Sequence, residues 1–159
     1  MIPLHGGSLV EWINRDYFTG TNLRQIYITD SDVQSYKDLI DEINRTNDGI
    51  RYGWVTHRRE MENYIPLEKI ENEFQISLED HADGWYGKDV PELLTGLCMQ
   101  QIQDSNKREI VIKQRLNGSI TKKMRKEDLE GIEAWEEIET WFRKIRSIVD
   151  GTYVRHVSP

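Results

Sequence analysis

Two short apolar runs, separated by a segment with helical periodicity, constrain the fold of this chain most strongly. The runs are Gln25–Thr29 and Ile50–Thr56, and both are rich in residues that favour strands. Between them, apolar residues recur at helical spacing from Val33 to Ile43. A strand, a helix and a second strand in this order predict a parallel pair joined by a right-handed crossover.

Charged side chains follow each run at the edge where parallel α/β sheets place their functional sites. Asp30 and Asp32 follow the first run. Two carboxylates separated by one residue can converge on one hard cation such as Mg²⁺. Two alternatives stay open for this pair. In the first, the aspartates serve only as caps of the following helix. In the second, they belong to another class of enzyme with an Asp-x-Asp motif, such as a haloacid-dehalogenase-like phosphatase or a glycosyltransferase.

The second run leads into a mixed basic and acidic segment. Glu60 and Glu62 form a second acidic cluster that could hold a second cation, and two cations about 4 Å apart can promote phosphodiester cleavage. Arg58 and Arg59 are candidates for contacts with phosphate, and His57 beside them is a candidate for substrate contact. The alternative interpretation is a solvated charged turn.

The rest of the chain is predicted to be mainly helical. Lysines cluster in the stretch 107–126, where Lys113 and Lys122 could steady the charge of a phosphate, although a solvated helix face would have the same composition. The predicted elements are a helix that starts at Pro66, a loop over Glu79–Pro91, a helix from Pro91 to about Gln103, a strand or helix over Lys107–Gly118, and a final helix whose apolar stripe comprises Trp135, Ile138, Phe142, Ile145 and Val149.

Composition excludes several classes of protein. The chain has 159 residues and a net charge of −7, which argues against a broad basic surface for nucleic acid. It has one cysteine, Cys98, so no disulfide can form within it, and the spacing of its histidines does not fit zinc. No apolar run reaches the roughly 20 residues of a membrane span. We therefore expect a cytoplasmic protein without a membrane partner.

Three segments together resemble the Toprim domain of OLD-family (overcoming lysogenization defect) nucleases. They are 2–8 (IPLHGGS), 26–32 (IYITDSD) and 56–65 (THRREMENYI). The string Arg-Glu-x-Glu-Asn-Tyr from Arg59 to Tyr64, placed after an Asp-x-Asp strand, carries most of this resemblance. The first half of the chain is similar to the family throughout, and the second half is similar only loosely.

The resemblance implies a fold, a reaction and a set of site residues. It implies an α/β fold with a small parallel Toprim-like sheet over residues 1–78, flanked by helices, and a mainly helical C-terminal extension over residues 79–159. The implied reaction is cleavage of DNA that depends on Mg²⁺ or Mn²⁺ and uses two metal ions. The residues matched to the metal-binding and catalytic positions are Asp30, Asp32, Glu60 and Glu62, with Lys113 or Lys122 as the assisting lysine.

The family pattern also predicts what lies outside this chain. A Toprim domain begins with a strand that presents a glutamate, and the sequence from Met1 corresponds to the second strand. We therefore expect that strand and the usual ABC-type ATPase domain to be absent, and the exposed sheet edge to favour an oligomer or an ATPase-bearing partner chain. Because one metal ligand would then be missing, a catalytically inactive Toprim-like remnant or interaction subunit is the alternative function.

Overall fold

The computed structural model describes Glu11, Ile13, Phe18 and residues 20–154. The strand that the resemblance implies at the start of the sequence lies outside these residues. The chain divides into two compact units, one formed by Met1–Thr56 with Thr140–Pro159 and the other by His57–Glu139. A compact unit need not be an independent domain. The domain boundary predicted after residue 78 therefore stays a prediction.

The first unit contains the predicted parallel pair. Strand β1 (Gln25–Thr29) is followed by helix α1 (Gln34–Thr46) and strand β2 (Arg51–Val55). The two strands pair in parallel from Gln25 opposite Arg51 to Thr29 opposite Val55. The α/β class and the parallel arrangement predicted from the sequence are therefore confirmed.

Helix α1 covers one face of this pair because its apolar residues lie on one side. Tyr36, Ile40 and Ile43 are buried at helical spacing. Ile40 and Ile43 form a small core with Ile13, against which Tyr27 and Val55 of the strands pack. The helix ends where Asn47 adopts a left-handed backbone conformation, with φ of 46°.

The centre of β2 approaches α1 closely at Gly53. A Cβ atom on Gly53 would lie 2.6 Å from Cδ1 of Ile40. We expect Gly53→Ala to lower the free energy of unfolding by about 1–3 kcal/mol through overpacking. The change Ile40→Val removes Cδ1, so the double variant should be more stable than the sum of the single effects predicts. Urea unfolding of all four proteins measures this coupling, and simple additivity would contradict the prediction.

The second unit is built from short helices around one apolar core. Its helices are α2 (Leu67–Phe74), α3 (Val90–Leu97), α4 (Ser105–Gln114) and α5 (Lys126–Glu130). Short 3-10 turns occupy Met61–Tyr64, Glu79–His81, Trp85–Gly87 and Thr121–Lys123, and a π-helical segment occupies Arg115–Ile120. The fully buried core side chains include Ile70, Phe74, Leu78, Leu94, Ile112 and Leu116. The helix predicted at Pro66 is confirmed, since α2 begins directly after it.

Two boundaries in this unit differ from prediction. The helix expected to reach Gln103 ends at Leu97, and residues 98–101 form a turn. The segment predicted as a loop over Glu79–Pro91 contains two 3-10 turns and buries Trp85.

The segment left open between strand and helix, Lys107–Gly118, is helical. A strand would place Ile110 and Ile112 on the same face, whereas in the helix Ile112 is fully buried and Ile110 is exposed. Of the two alternatives for this segment, the strand is therefore wrong.

Helix α6 (Trp135–Val149) is the predicted final helix, and Gly151 follows it with φ of 74°. Its predicted apolar stripe is only partly correct. Phe142 and Val149 are exposed, with relative accessibilities of 64% and 69%, whereas Ile148 is buried. The periodicity located the helix but misplaced part of its buried face.

Candidate functional site

The carboxylates of the first unit follow the end of β1. The strand ends at Thr29, whose carbonyl accepts a hydrogen bond of 2.9 Å from the N–H of Thr56. Asp30 is half-buried and Asp32 is exposed in the bend before α1. Val33 occupies the cap position of that helix, so neither aspartate is its cap residue.

The charges of Asp30 and Asp32 both influence the hydroxyl group of Tyr36. Burial, followed by the negative charges of Asp30 and Asp32, raises the pKa of Tyr36 above its ordinary value. The structure therefore brings the two predicted carboxylates to the same end of α1. Beside them, the hydroxyl oxygen of Thr29 is buried and has no hydrogen-bond partner within the part of the chain that the structure describes.

The second acidic cluster lies in the other unit, around the 3-10 turn Met61–Tyr64. The N–H of Glu60 donates to Oδ1 of Asn63 at 2.8 Å, which places Glu60 and Asn63 on one side of the turn. Glu62 is buried, and its Oε1 accepts a hydrogen bond of 2.8 Å from the side chain of Asn117. This hydrogen bond fixes the position of the Glu62 carboxylate.

Lys113 lies within electrostatic reach of this cluster. Its pKa is raised chiefly by a hydrogen bond to Glu109, with its ammonium 2.7 Å from the carboxylate, and further by the charges of Glu62 and Glu60. Lys122, the other predicted lysine, is exposed in the turn Thr121–Lys123. Lys113 therefore interacts electrostatically with Glu60 and Glu62, and the assisting role implied by the resemblance stays a prediction for both lysines.

The two arginines predicted to contact phosphate have different surroundings. Arg58 is buried, and its guanidinium donates to the carbonyl oxygens of Asn63, at 2.7 Å, and of Ile132. Arg59 is more exposed and lies 3.4 Å from a carboxylate oxygen of Asp89. A role in phosphate binding stays a prediction for both residues, and Arg59 presents the more accessible group.

Sequence reasoning missed the residue that connects His57 and Tyr64, which is Glu137. One carboxylate oxygen of Glu137 accepts a hydrogen bond of 2.8 Å from the backbone N–H of His57. The other accepts one of 2.6 Å from the hydroxyl of Tyr64. Glu137 stands in a stretch of several acids near the start of α6, and no local pattern distinguishes it from Glu133, Glu136 or Glu139.

Comparisons with known proteins give no independent identification. No protein-family model matches the chain, and no curated protein or solved structure matches it either.

Over the described residues, no three His, Cys, Asp or Glu side chains gather into a group that could hold a metal ion. In the same part of the chain, none of the helices has the length and apolar character needed to cross a membrane.

Proposed function

We propose that this chain is a Toprim-like module of a divalent-metal-dependent DNA endonuclease. The observation that carries the proposal is the position of Asp30 and Asp32 directly after β1, at the carboxyl edge of a parallel strand pair. Open α/β sheets bind ligands outside the carboxyl ends of their strands. The Arg-Glu-x-Glu-Asn-Tyr string after β2 supports the same assignment through its resemblance to OLD-family nucleases.

The donor atoms in the first unit fit Mg²⁺ or Mn²⁺. Asp30 and Asp32 provide carboxylate oxygens, and the buried, unpartnered hydroxyl of Thr29 provides a neutral oxygen beside them. Mg²⁺ is typically held by one or two carboxylates, with water and substrate phosphate as its other ligands. A bound cation would lower the pKa of an attacking water and stabilise the leaving oxygen of a phosphodiester.

The second unit carries candidate groups of its own, with charges of both signs. Glu60 and Glu62 are the proposed ligands for a further cation, and the ammonium of Lys113 would stabilise negative charge on a phosphate. Arg59 is the more accessible guanidinium for a phosphate contact. DNA is the proposed substrate, and an ABC-type ATPase domain or chain and an oligomeric state are the partners that the family resemblance supports.

Titration of the protein with Mn²⁺ and Mg²⁺ in a calorimeter tests metal binding directly. We expect saturable binding that Asp30→Asn or Asp32→Asn weakens by at least about tenfold, because each change removes an anionic ligand. Asp41→Asn is the matched control, since Asp41 is an exposed carboxylate further along α1. Unchanged binding in both variants would contradict the assignment.

Cleavage of supercoiled plasmid DNA under the same metals tests the reaction. We expect nicking by the wild-type protein and its loss in Asp30→Asn, with Asp41→Asn retaining it. Metal binding without cleavage by the wild-type protein would favour the alternative function, an inactive Toprim-like remnant or interaction subunit. The absence of both would overturn the proposed function.

A further inference from the structure

The carboxylate of Glu137 contacts three groups in the second unit. They are the backbone N–H of His57, the ring of His57 and the hydroxyl of Tyr64. The side chain of Glu137 is 10% exposed, and it accepts hydrogen bonds from the backbone of His57 and the hydroxyl of Tyr64. Oε2 of Glu137 also lies 3.5 Å from Nδ1 of the His57 ring. Glu137 therefore fixes the backbone of His57 and faces one nitrogen of its ring.

The other face of this arrangement is open to solvent. The side chain of His57 is 83% exposed although one of its ring nitrogens faces a buried carboxylate. Because Nδ1 faces the negative charge, that atom is the favoured position for the proton of the neutral ring. Nε2 is then the nitrogen that carries the lone pair, on a side chain that is mostly exposed to solvent.

The hydroxyl of Tyr64 fixes the position of the Glu137 carboxylate. It accepts a hydrogen bond from the N–H of Arg58 at 3.4 Å and donates one to Glu137. Burial, followed by the hydrogen bond to Glu137, raises the pKa of Tyr64, so its hydroxyl stays a donor. The guanidinium of Arg58 lies 5.0 Å from the centre of the Tyr64 ring.

We propose that His57 and Glu137 form a proton-transfer dyad in which Nε2 of His57 accepts a proton from an oxygen nucleophile. His57 is the catalytic residue, and Glu137 is a positioning residue that holds Nδ1 protonated and stabilises the imidazolium. The separation of 3.5 Å between Nδ1 of His57 and Oε2 of Glu137 is long for a hydrogen bond. Catalytic hydrogen bonds are often long before substrate binds.

The chemical role of the dyad rests on the proposed function. The oxygen of water forms a bond to phosphorus while the bond from phosphorus to the leaving oxygen breaks. One proton of the water passes to Nε2 of His57, and the leaving oxygen takes up a proton from solvent. The products are a phosphomonoester and an alcohol, and His57 returns to its neutral form when it releases its proton.

The tautomer of His57 tests the dyad independently of DNA cleavage. Nitrogen NMR of the labelled full chain should show the neutral His57 ring protonated at Nδ1. Glu137→Gln should shift it toward the Nε2-protonated form. His81, which lies in a 3-10 turn of the same unit, is the reference histidine, and His81→Gln assigns its signals. A neutral His57 protonated mainly at Nε2 in the wild-type protein would overturn the proposal.

Cleavage kinetics test the catalytic role. General-base catalysis is worth about 10²–10⁴-fold, so His57→Gln should slow plasmid cleavage about 100-fold and remove the ascending limb of the pH profile. His81→Gln should leave the rate unchanged. Equal rates for His57→Gln and the wild-type protein would overturn the proposal. If the wild-type protein cleaves nothing, the proposed function fails and the tautomer alone decides whether the dyad exists.

Discussion

Asn63→Ala should destabilise the second unit more than any other single polar substitution there. Asn63 is fully buried, and its side chain makes three hydrogen bonds. Oδ1 accepts from the N–H of Glu60 at 2.8 Å, and Nδ2 donates to the carbonyl oxygens of Trp85 at 2.7 Å and Lys88 at 3.1 Å. Each partner left unpaired in the interior costs roughly 1–3 kcal/mol, so we expect a loss of about 3–5 kcal/mol in the free energy of unfolding.

Urea unfolding followed by tryptophan fluorescence measures this loss, because the chain contains five tryptophans. Asn72→Ala is the control, since Asn72 is exposed on α2 and should tolerate the change within about 0.5 kcal/mol. Asn63→Asp separates hydrogen bonding from volume, because it keeps the acceptor and the size of the side chain but removes both donors and buries a charge. If Asn63→Asp were as stable as the wild-type protein, the proposed role of the two donated hydrogen bonds would be wrong.

Arg58→Ala should also lower stability by about 3 kcal/mol, since hydrogen bonds from charged groups contribute about 1.5–3 kcal/mol each. The guanidinium satisfies the carbonyl oxygens of Asn63 and Ile132. It also lies 3.8 Å from the centre of the Tyr86 ring, where a desolvated cation–π contact contributes up to about 2 kcal/mol. These contributions are not additive, because one side chain makes all of them.

Arg59→Ala is the matched control for Arg58→Ala in the same unfolding experiment. Arg59 is adjacent in the chain and more exposed, and its ion pair with Asp89 is expected to contribute less than about 1 kcal/mol. Equal losses for the two alanine variants would contradict the structural role of Arg58. A large loss of stability in Arg58→Ala alone would show that Arg58 has a structural role. That role is to hold Asn63, Tyr86 and Ile132 in place, whatever its role toward phosphate.

The strand, helix and strand of the first unit could be predicted because local signals agree there. Apolar spacing, the turn at Asn47 and the β-rich composition of both strands all favour the same arrangement. The helices of the second unit were harder to delimit. The π-helical segment Arg115–Ile120 continues directly from α4 and has no sequence signature of its own. The exposed Phe142 likewise shows that periodicity alone does not decide which face of a helix is covered.

The candidate site was predictable only as far as its residues are close together in sequence. Asp30 with Asp32 and Glu60 with Glu62 were found because each pair follows a strand within a few residues. Glu137 was missed because it stands 80 residues after His57, and only tertiary structure brings its carboxylate to the backbone of that residue. Lys113 was predicted from the lysine-rich stretch 107–126 and from the family resemblance, and its electrostatic interaction with Glu62 depends on how α4 packs in the second unit.

The single cysteine gives this protein a built-in reporter of how often its second unit opens. Cys98 is fully buried in the core of that unit, and burial raises the pKa of its thiol. An alkylating reagent therefore reacts with it only through molecules in which the core has transiently separated. The labelling rate under native conditions, divided by the rate for a free thiol, gives the population of that open form without denaturant. Because no second thiol competes, one mass measurement reports on this unit alone.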